Sequence, residues 1–509
     1  MDDRSEPVVE AAPTDDDLVS DLEARTDDLP HILAESDWRS PLAEPVAASA
    51  APEEAERSQP ILIALIVSCA FLMQGIDSTM LTTAIPTMAR EMNVSPLALH
   101  FAVTGYLVSL AVFMPVSGWF ADRFGARRVF CGAIVIFTLG STLCGASNSL
   151  PMLVAARIVQ GFGGALMTPV GRLIVLRAFG PGKTLDAMTY LTLPTLLGPL
   201  CGPLMGAAIV TYAPWQWIFY VNVPVCALAI AAALAVIEKN PPGAPDPFDF
   251  SGFLIVGAGF LLVQLGVENL AHPFLAQVWT AIAIMVAIII ALLYRRHAAR
   301  REDPAFDLSL FSNANYSIGV IGGGIGRIGL NSASFLLPLM LQIGFGLSPI
   351  ASGLYTLTSA LGSLGSKSML QAIIIRLGFK ALLVALVCLG SALLASLAFV
   401  DRSAPMALLV GLVVLLSMIR TMHFNSVNTL TYSDVPPEKL SRAVSSAGVI
   451  QQLAMGFGVS AGSATLAFVA ADGHHLTLPD FSVAFLVMAI VPLLSLPILF
   501  AIPKRTEIA

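Results

Sequence analysis

From Ile61 to about residue 502 the chain alternates long apolar segments with short polar connections. Each apolar segment holds about 20 residues or more, the length that an α-helix needs to cross the ~30 Å hydrocarbon core of a bilayer. The pattern therefore predicts an all-α membrane protein. We place fourteen transmembrane helices at 61–86, 97–119, 129–148, 151–176, 186–210, 216–237, 251–270, 275–294, 316–340, 349–373, 380–400, 405–431, 442–470 and 481–502.

Composition supports a lipid environment, because 56% of the 509 residues are hydrophobic and 12% are charged, whereas about a quarter are charged in globular chains. Residues 1–59 differ from the rest. They hold 17 of the 34 acidic residues and 4 of the 27 basic ones, without a sustained apolar period. Such a composition is typical of disorder. We expect a solvated, acidic cytoplasmic tail, with a partner-binding arm as the alternative.

Lysine and arginine predict the orientation of the spans. An even number of spans places both termini on one side of the membrane. Beyond residue 59, the loops and ends on that side carry 17 Lys or Arg, against two on the other side, Arg90 and Arg402. Because positively charged connections stay in the cytoplasm, both termini are predicted to be cytoplasmic.

A weak internal repeat predicts the domain organisation. Arg376 and the Gly-Phe-Lys sequence at 378–380 echo the arginine-rich connection at 123–128. Two bundles with a site between them are a common transporter plan. We therefore predict two six-helix bundles in a pseudo-two-fold arrangement, with two inserted helices between them. The predicted boundaries are 60–240 for the first bundle, 241–300 for the insert, 301–503 for the second bundle and 504–509 for a cytoplasmic tail.

The fifth span contains an unusual stretch, TLPTLLGPLCGPLMG at 192–206. Glycine every fourth residue forms a bare helical stripe on which a second helix can approach closely, and proline bends a helix. Two interpretations stay open: a helix that only packs closely, or a kinked hinge or seal between two moving bundles. The residues of this motif are Gly198, Pro199, Gly202, Pro203 and Gly206.

Four stretches in this order resemble the motifs of the fourteen-helix drug:proton antiporters of the major facilitator superfamily. They are the GPxxGPxxxG stripe, GWFADRFGARR at 118–128, RIVQGFGG at 157–164 and WQWIFYVNVP at 215–224. That subfamily usually has an arginine at the position of Gln216. The resemblance implies a bacterial inner-membrane exporter with a small-molecule substrate, driven by a proton gradient and needing no cofactor. Its expected partners are protons and the lipid bilayer; we expect a monomer and no nucleic acid.

Asp77 and Arg157 are charged residues predicted to lie inside the bilayer, where charge is costly and marks functional candidates. At 1.5 Å per residue they lie roughly 13 Å and 9 Å below the outer ends of their spans. The resemblance implies that these two helices are neighbours. Our hypothesis is that the pair communicates and that Asp77 takes and releases the coupling proton. The alternative is a permanent buried ion pair that holds two helices together.

The connection after span two is the predicted gating loop. Its glycines permit a tight turn, and Asp122 can pair with an arginine or cap a helix, which would lock the bundles while the outside is open. The alternative is that these are ordinary cytoplasmic positive charges. The residues are Gly118, Asp122, Arg123, Gly125, Arg127 and Arg128.

Two arginines in the second bundle are candidates for substrate binding. Arg327 lies roughly 17 Å into span nine, near the midplane. Arg420 lies in span twelve, followed by His423, Asn425 and Asn428. No acid lies inside either span, and Glu268 is predicted to lie near the outer surface. Such arginines favour an anionic ligand; snorkelling or carbonyl-bonded structural arginines are the alternative.

The sequence has no Walker loop, catalytic triad, zinc spacing or dinucleotide fingerprint, so we expect no enzyme, no metal and no ATP-driven pump. The first interpretation is proton-coupled export of drug-type small molecules. An exporter of an organic anion, such as a carboxylate metabolite, is the alternative. A non-transporting membrane sensor or scaffold is an alternative of another class, and a proton symporter for uptake is a third.

Overall fold

A computed structural model describes residues 60–180, 197–239, 248–271, 276–301, 304–436, 439–470 and 476–502, together with Ala187, Tyr190, Leu191 and Pro194. The predicted acidic tail at 1–59 and the C-terminal tail lie outside these described residues. The same holds for the first part of the TLPTLLGPLCGPLMG stretch, apart from Pro194, and for the side chain of Pro199.

The described residues form helices joined by short loops, as the continuous apolar segments predict. We number the helices in chain order: α1 Pro60–Glu91, α2 His100–Phe124, α3 Ala126–Gly145, α4 Leu150–Phe179, α5 Leu197–Tyr212, α6 Trp217–Val236, α7 Phe250–Ala271, α8 Gln277–Ala298, α9 Ala314–Gly344, α10 Pro349–Leu357, α11 Ser359–Leu397, α12 Met406–Tyr432, α13 Leu440–Val469 and α14 Leu478–Leu499.

Twelve helices in the described part of the chain are long and apolar enough to cross a membrane. The predicted spans 186–210 and 349–373 are not among them. The first is described without gaps only from Leu197, as α5. The second is divided between α10 and the first part of α11, which bends at Gly378 where φ is +71°. Twelve membrane-length helices are confirmed, and the count of fourteen stays a prediction.

The buried side chains show how the two bundles meet. We call the end of the molecule where α1 ends and α2 begins the outer end, after its predicted side. There, one apolar core joins both bundles, with Ile85 of α1, Leu99 of α2, Phe335 of α9 and Phe485 of α14 among its members. Towards the inner end, the described residues of each bundle form clusters of their own. The bundles are therefore packed together at the outer end.

Helices α7 and α8 pack against each other and join the rest through α2 and α13. A small cluster that includes Ala111 of α2, Tyr294 of α8 and Val449 of α13 fills this junction. Below it, Asp249 accepts hydrogen bonds from the Gly252 amide at 2.9 Å and from His297 Nε2 at 2.8 Å. Burial favours a higher pKa for Asp249, but these hydrogen bonds hold the pKa below its ordinary value.

Candidate functional site

Helix α5 lies against α1 along its glycine stripe. A methyl group added at Gly198 would lie 2.9 Å from the carbonyl oxygen of Leu72, and one at Gly206 would lie 2.9 Å from Met80 Cα. At Gly202 it would lie 1.9 Å from Thr79 Oγ1. Only glycine leaves room for backbones at this separation. We call this contact between α1 and α5 the α1–α5 seam.

The other side of α5 meets the second bundle. A methyl group at Gly353 of α10 would lie 3.0 Å from the carbonyl oxygen of Pro203 and 2.8 Å from Ala207 Cβ. Pro203 lies inside α5, where it removes one backbone hydrogen bond of the helix. The motif helix therefore lies between α1 of its own bundle and α10 of the other, so a change in its bend alters both contacts.

Asp77 of α1 and Arg157 of α4 form a buried ion pair next to this seam. Arg157 Nη1 donates to Asp77 Oδ2 at 2.6 Å. The two residues are 2% and 1% exposed. Their predicted depths in the membrane differ by about one helical turn, and the long arginine side chain bridges this difference. Charges this deeply buried are tolerated only when they are paired and hydrogen-bonded.

The second oxygen of Asp77 is held by two amides. Asp77 Oδ1 accepts from Gln160 Nε2 at 2.9 Å and from Asn222 Nδ2 at 2.9 Å. Asn222 Nδ2 also lies 2.8 Å from Ser141 Oγ, whose hydroxyl donates to the carbonyl of Phe219. Helices α1, α4 and α6 thus meet at one carboxylate, and α3 is joined to it through Asn222.

Arg157 makes further contacts that fix its guanidinium. Its Nε donates to the carbonyl of Ala102 at 3.2 Å, and its Nη1 also donates to Gln160 Oε1 at 2.7 Å. Its Cζ lies 4.3 Å from the centre of the Tyr106 ring, within the range of a cation–π interaction. The arginine therefore keeps partners on α2 and α4 even when Asp77 no longer carries its charge.

The predicted gating loop is a tight turn at the end of α2. Gly125 separates α2 from α3 and has a φ of +88°, which favours glycine. Asp122 Oδ1 lies 3.6 Å from Arg177 Nη2 of α4 in an exposed pair, and Arg127 Nη2 donates to the Leu234 carbonyl at 2.6 Å. Arg123 and Arg128 are exposed. These contacts stay within the first bundle, and no side chain caps α3.

The candidate substrate residues line the contact between α9 and α12. Arg327 is 3% exposed, and its Nη2 donates to Asn428 Oδ1 at 2.9 Å and to the carbonyl of Phe424 at 3.3 Å. Gln451 Nε2 of α13 donates to the same Asn428 oxygen at 2.8 Å. Arg327 Nε has no hydrogen-bond partner. Within the described residues Arg327 makes no ion pair, and it borders a small cavity together with Gly324 and Gln451.

The remaining candidates on α12 make no described hydrogen bond to Arg327. Arg420 Nη1 donates to Ser334 Oγ at 2.5 Å, and Ser334 is seven residues from Arg327, or about 10 Å along α9. His423 is 1% exposed and packs against Gly326, with its Nε2 unpartnered. Asn425 is half-buried. Arg420, His423 and Asn428 therefore contact α9 at different positions along its interface with α12.

The sequence of residues 67–459 matches the family model described as Major Facilitator Superfamily. The chain belongs to the Major Facilitator Superfamily. It is 39% identical over 396 residues to "Putative multidrug resistance protein MdtD" of Klebsiella pneumoniae subsp. pneumoniae, covering 78% of this chain and 84% of the relative. It is 37% identical over 454 residues to the protein of the same name from Salmonella paratyphi B, covering 87% and 95%.

Solved structures of this superfamily share the fold. A peptide transporter POT in complex with sulfate superposes with a TM-score of 0.65 at 16% identity, covering 87% of this chain and 94% of that one. The xylose transporter XylE from E. coli, in a partially occluded inward open conformation, gives 0.57 at 14% identity, covering 88% and 99%. Its superfamily, its bacterial relatives and its twelve membrane-length helices make this chain a multi-pass transporter of the bacterial inner membrane rather than an enzyme.

Several polar residues of this superfamily member were not singled out from the sequence. Gln160 follows Arg157 by three residues, so it lies on the same helix face, and Asn222 belongs to the WQWIFYVNVP motif. Both are polar residues within apolar runs, which is the signal that could have identified them. Glu268, predicted near the outer surface, is 2% exposed, and His100 was not considered.

Proposed function

We propose that this chain exports drug-type small organic molecules across the inner membrane in exchange for protons, and that Asp77 carries the coupling proton. The observation that supports this most directly is the Asp77 carboxylate, buried and shared by Arg157, Gln160 and Asn222. The names of the relatives, putative multidrug resistance proteins, agree with the substrate class. We also propose the fourteen-helix antiporter subfamily, cytoplasmic termini, a monomer and no cofactor beyond the proton gradient.

The chemistry follows from the contacts of the carboxylate. A proton on Asp77 removes its negative charge and turns one of its oxygens into a donor, which opposes either the hydrogen bond from Arg157 to Oδ2 or those from the two amides to Oδ1. Arg157 then relies on Gln160 Oε1, the Ala102 carbonyl and the Tyr106 ring. Proton binding therefore loosens α1 from α4 and α6. Because α1 also forms the α1–α5 seam, this loosening reaches the helix that contacts the second bundle.

The test uses purified protein in liposomes with an imposed pH gradient. Two pH units correspond to about 2.7 kcal/mol per proton, which is about 100-fold accumulation for each coupled proton. We expect the wild type to accumulate drug-type substrates and to dissipate the gradient as they move. We expect Asp77→Asn to keep substrate exchange at zero gradient but to lose gradient-driven accumulation.

A matched double variant separates coupling from folding. Asp77→Asn leaves Arg157 as a buried cation without its counterion, a change that costs about 3–5 kcal/mol when a buried pair is broken. Asp77→Asn combined with Arg157→Gln removes both charges, so we expect it to recover thermal stability without recovering coupling. Full gradient-driven accumulation by stable Asp77→Asn protein would reject the carrier role and leave the permanent ion pair as the explanation.

The second candidate function is export of an organic anion. It is favoured by Arg327, a buried guanidinium whose Nε has no partner and whose described neighbours supply no carboxylate. A guanidinium with open donors suits a bidentate carboxylate. The same liposomes are tested with cations, neutral drugs and di- or tricarboxylates. We expect Arg327→Gln to reduce anion transport at least tenfold while transport of cations is unchanged; transport limited to anions would replace the drug-type assignment.

A further inference from the structure

A second buried pair of titratable side chains lies at the outer end, away from Asp77. His100 begins α2, and its Nε2 contacts Glu268 Oε2 near the end of α7. The two residues are 0% and 2% exposed. Neither residue belongs to the proposed coupling site, and neither lies in one of the four stretches that resemble the family's motifs. Their position at a junction of helices calls for a separate explanation.

The pair joins three parts of the molecule. Glu268 Oε1 accepts a hydrogen bond from Gln264 Nε2 of the insert at 2.8 Å and another from Ser460 Oγ of α13. Ser463, one turn further along α13, donates to the carbonyl of Leu97 at 3.3 Å, just before α2. One carboxylate therefore connects α2 of the first bundle, α7 of the insert and α13 of the second bundle.

The contacts fix how many protons the pair holds. His100 Nδ1 lies 2.5 Å from the carbonyl oxygen of Leu97, which can only accept, so Nδ1 carries a hydrogen. The hydrogen bond between Nε2 and the Glu268 carboxylate needs one further proton, whichever atom holds it. Without that proton, the lone pair of His100 Nε2 faces the negatively charged Glu268 carboxylate. With two protons, the N–H of His100 faces the O–H of a protonated Glu268, and neither group can accept.

The other described hydrogen bonds of the pair are with uncharged groups. In the described parts of α2, α7, α8 and α13, the ionisable side chains at the outer end are His100 and Glu268. Asn269 of α7 donates to Thr280 Oγ1 of α8 at 2.6 Å, which is a neutral contact. His272, in the following loop, lies outside the described residues.

We propose that His100 and Glu268, with Gln264 and Ser460, form a second proton-binding site, an outer latch that holds the two bundles and the insert together while it carries one shared proton. The inference rests on the proposed function for the direction of transport. When the outer end closes, the latch takes its proton from the outer side, and when that end opens it releases the proton. It returns the proton to that same side, so it gates the cycle without adding to the number of protons exchanged per substrate.

The proton count gives a specific pH dependence. For histidine and glutamate side chains that are separate and exposed to water, as in an open outer end, the ordinary pKa values are about 6.5 and about 4.3. Above pH ~6.5 closing takes up one proton, so each pH unit upward favours the open state by at most about tenfold. Between pH ~4.3 and ~6.5 both states hold one proton, and the equilibrium is flat. Below pH ~4.3 acid opens the latch.

The test measures the separation of the bundles at the outer end by pulsed electron paramagnetic resonance of the full chain. Spin labels are placed at Glu91→Cys and Met406→Cys, both exposed at this end, after replacement of the six native cysteines. The Asp77→Asn background removes the proposed coupling proton. We expect the ratio of long to short distances to rise by up to tenfold per unit above pH ~6.5 in this background.

Glu268→Gln is the deciding variant. An amide at this position can donate to His100 Nε2 and still accept from Gln264 and Ser460, so the latch is kept but holds no exchangeable shared proton. We expect the ratio of long to short distances to stay constant between pH 6.5 and 8.5. His100→Gln, which also keeps a donor towards Glu268, serves if Glu268→Gln fails to fold. The proposal is overturned if the distance ratio still changes with pH in both Glu268→Gln and His100→Gln. It is also overturned if Asp77→Asn alone removes this pH dependence.

Transport separates this inference from the proposed function. In liposomes made with otherwise native protein, we expect Glu268→Gln to change the pH profile of the transport rate but not the number of protons exchanged per substrate. A changed proton number would assign Glu268 to coupling and overturn the latch. If Asp77→Asn retains full coupling, the proposed function fails, while the pH slope at the outer end still decides the latch.

Discussion

Gly206→Ala tests whether the α1–α5 seam controls transport. The added methyl group would lie 2.9 Å from both Cα and the carbonyl oxygen of Met80. Ordinary carbon contacts begin near 3.5 Å, so the two helices must separate by about half an ångström or more. Both contacted atoms belong to the backbone, and no flexible side chain can move aside instead.

The cost follows from this geometry. Overpacking a fitted contact typically costs about 1–3 kcal/mol, which is a factor of about 5 to 150 in the population of the packed seam. We expect a lower melting temperature in detergent and a slower initial rate of gradient-driven transport. If α5 acts as a seal, we also expect the imposed pH gradient to decay faster in the absence of substrate.

Gly132→Ala on α3 is the matched control. A methyl group at Gly132 meets nothing within 4 Å, and replacing glycine by alanine inside a helix is favourable by about 1 kcal/mol. The control should therefore be at least as stable as the wild type and equally active. The seam does not control transport if Gly206→Ala matches the wild type in melting temperature, initial transport rate and decay of the pH gradient. The same holds if Gly132→Ala lowers stability and transport as much as Gly206→Ala does.

Two further changes test the loop and the insert. Gly125→Ala forces a side chain into the left-handed region at φ +88°, which costs about 1–2 kcal/mol and should lower the melting temperature. Gly118→Ala, inside a helix with nothing within 4 Å, should leave it unchanged or raise it. Asp249→Asn should lower the melting temperature above pH ~3.9, the unfolded value. The folded pKa of Asp249 is depressed, so the stability that Asp249 contributes is lost as the pH falls through the folded pKa. The melting temperatures of wild type and variant should therefore converge in acid.

The sequence was sufficient for the helices but not for how they pair at the outer end. Continuous apolar runs have one stable form in lipid, the helix, because every backbone group must bond internally. Asp77 and Arg157 could be matched because their depths follow from helical rise and the family resemblance implied that their helices are neighbours. The contacts of Gln160 and Asn222 depend on the rotation of α4 and α6 about their axes, which a hydropathy pattern with little polar contrast does not specify.

Glu268 illustrates the same limit. Its distance along α7 correctly gives its depth near the outer end, and depth alone suggested exposure. Burial depends on which helices stand beside α7, and the insert is covered there by α2 and α13. His100 lies at the start of its helix, and no pattern in the sequence pairs it with a residue 168 positions away. Which residues of different bundles come into contact depends on the tertiary structure.

The closed outer end combines two kinds of contact that respond differently to the transport cycle. The apolar core that joins Ile85, Leu99, Phe335 and Phe485 stabilises closure at any pH, because burial of apolar surface does not depend on protons. Polar contacts between the bundles, such as Gln342 Nε2 on the carbonyl of Thr83 at 2.9 Å, fix the register but do not titrate. A closure built from these alone could not respond to the proton gradient. Near this end the His100 and Glu268 pair can exchange a proton with the outer side, whereas Asp77 lies deeper in the first bundle. Separate sites for gating and coupling would allow the outer end to close after substrate release before the coupling proton moves inward.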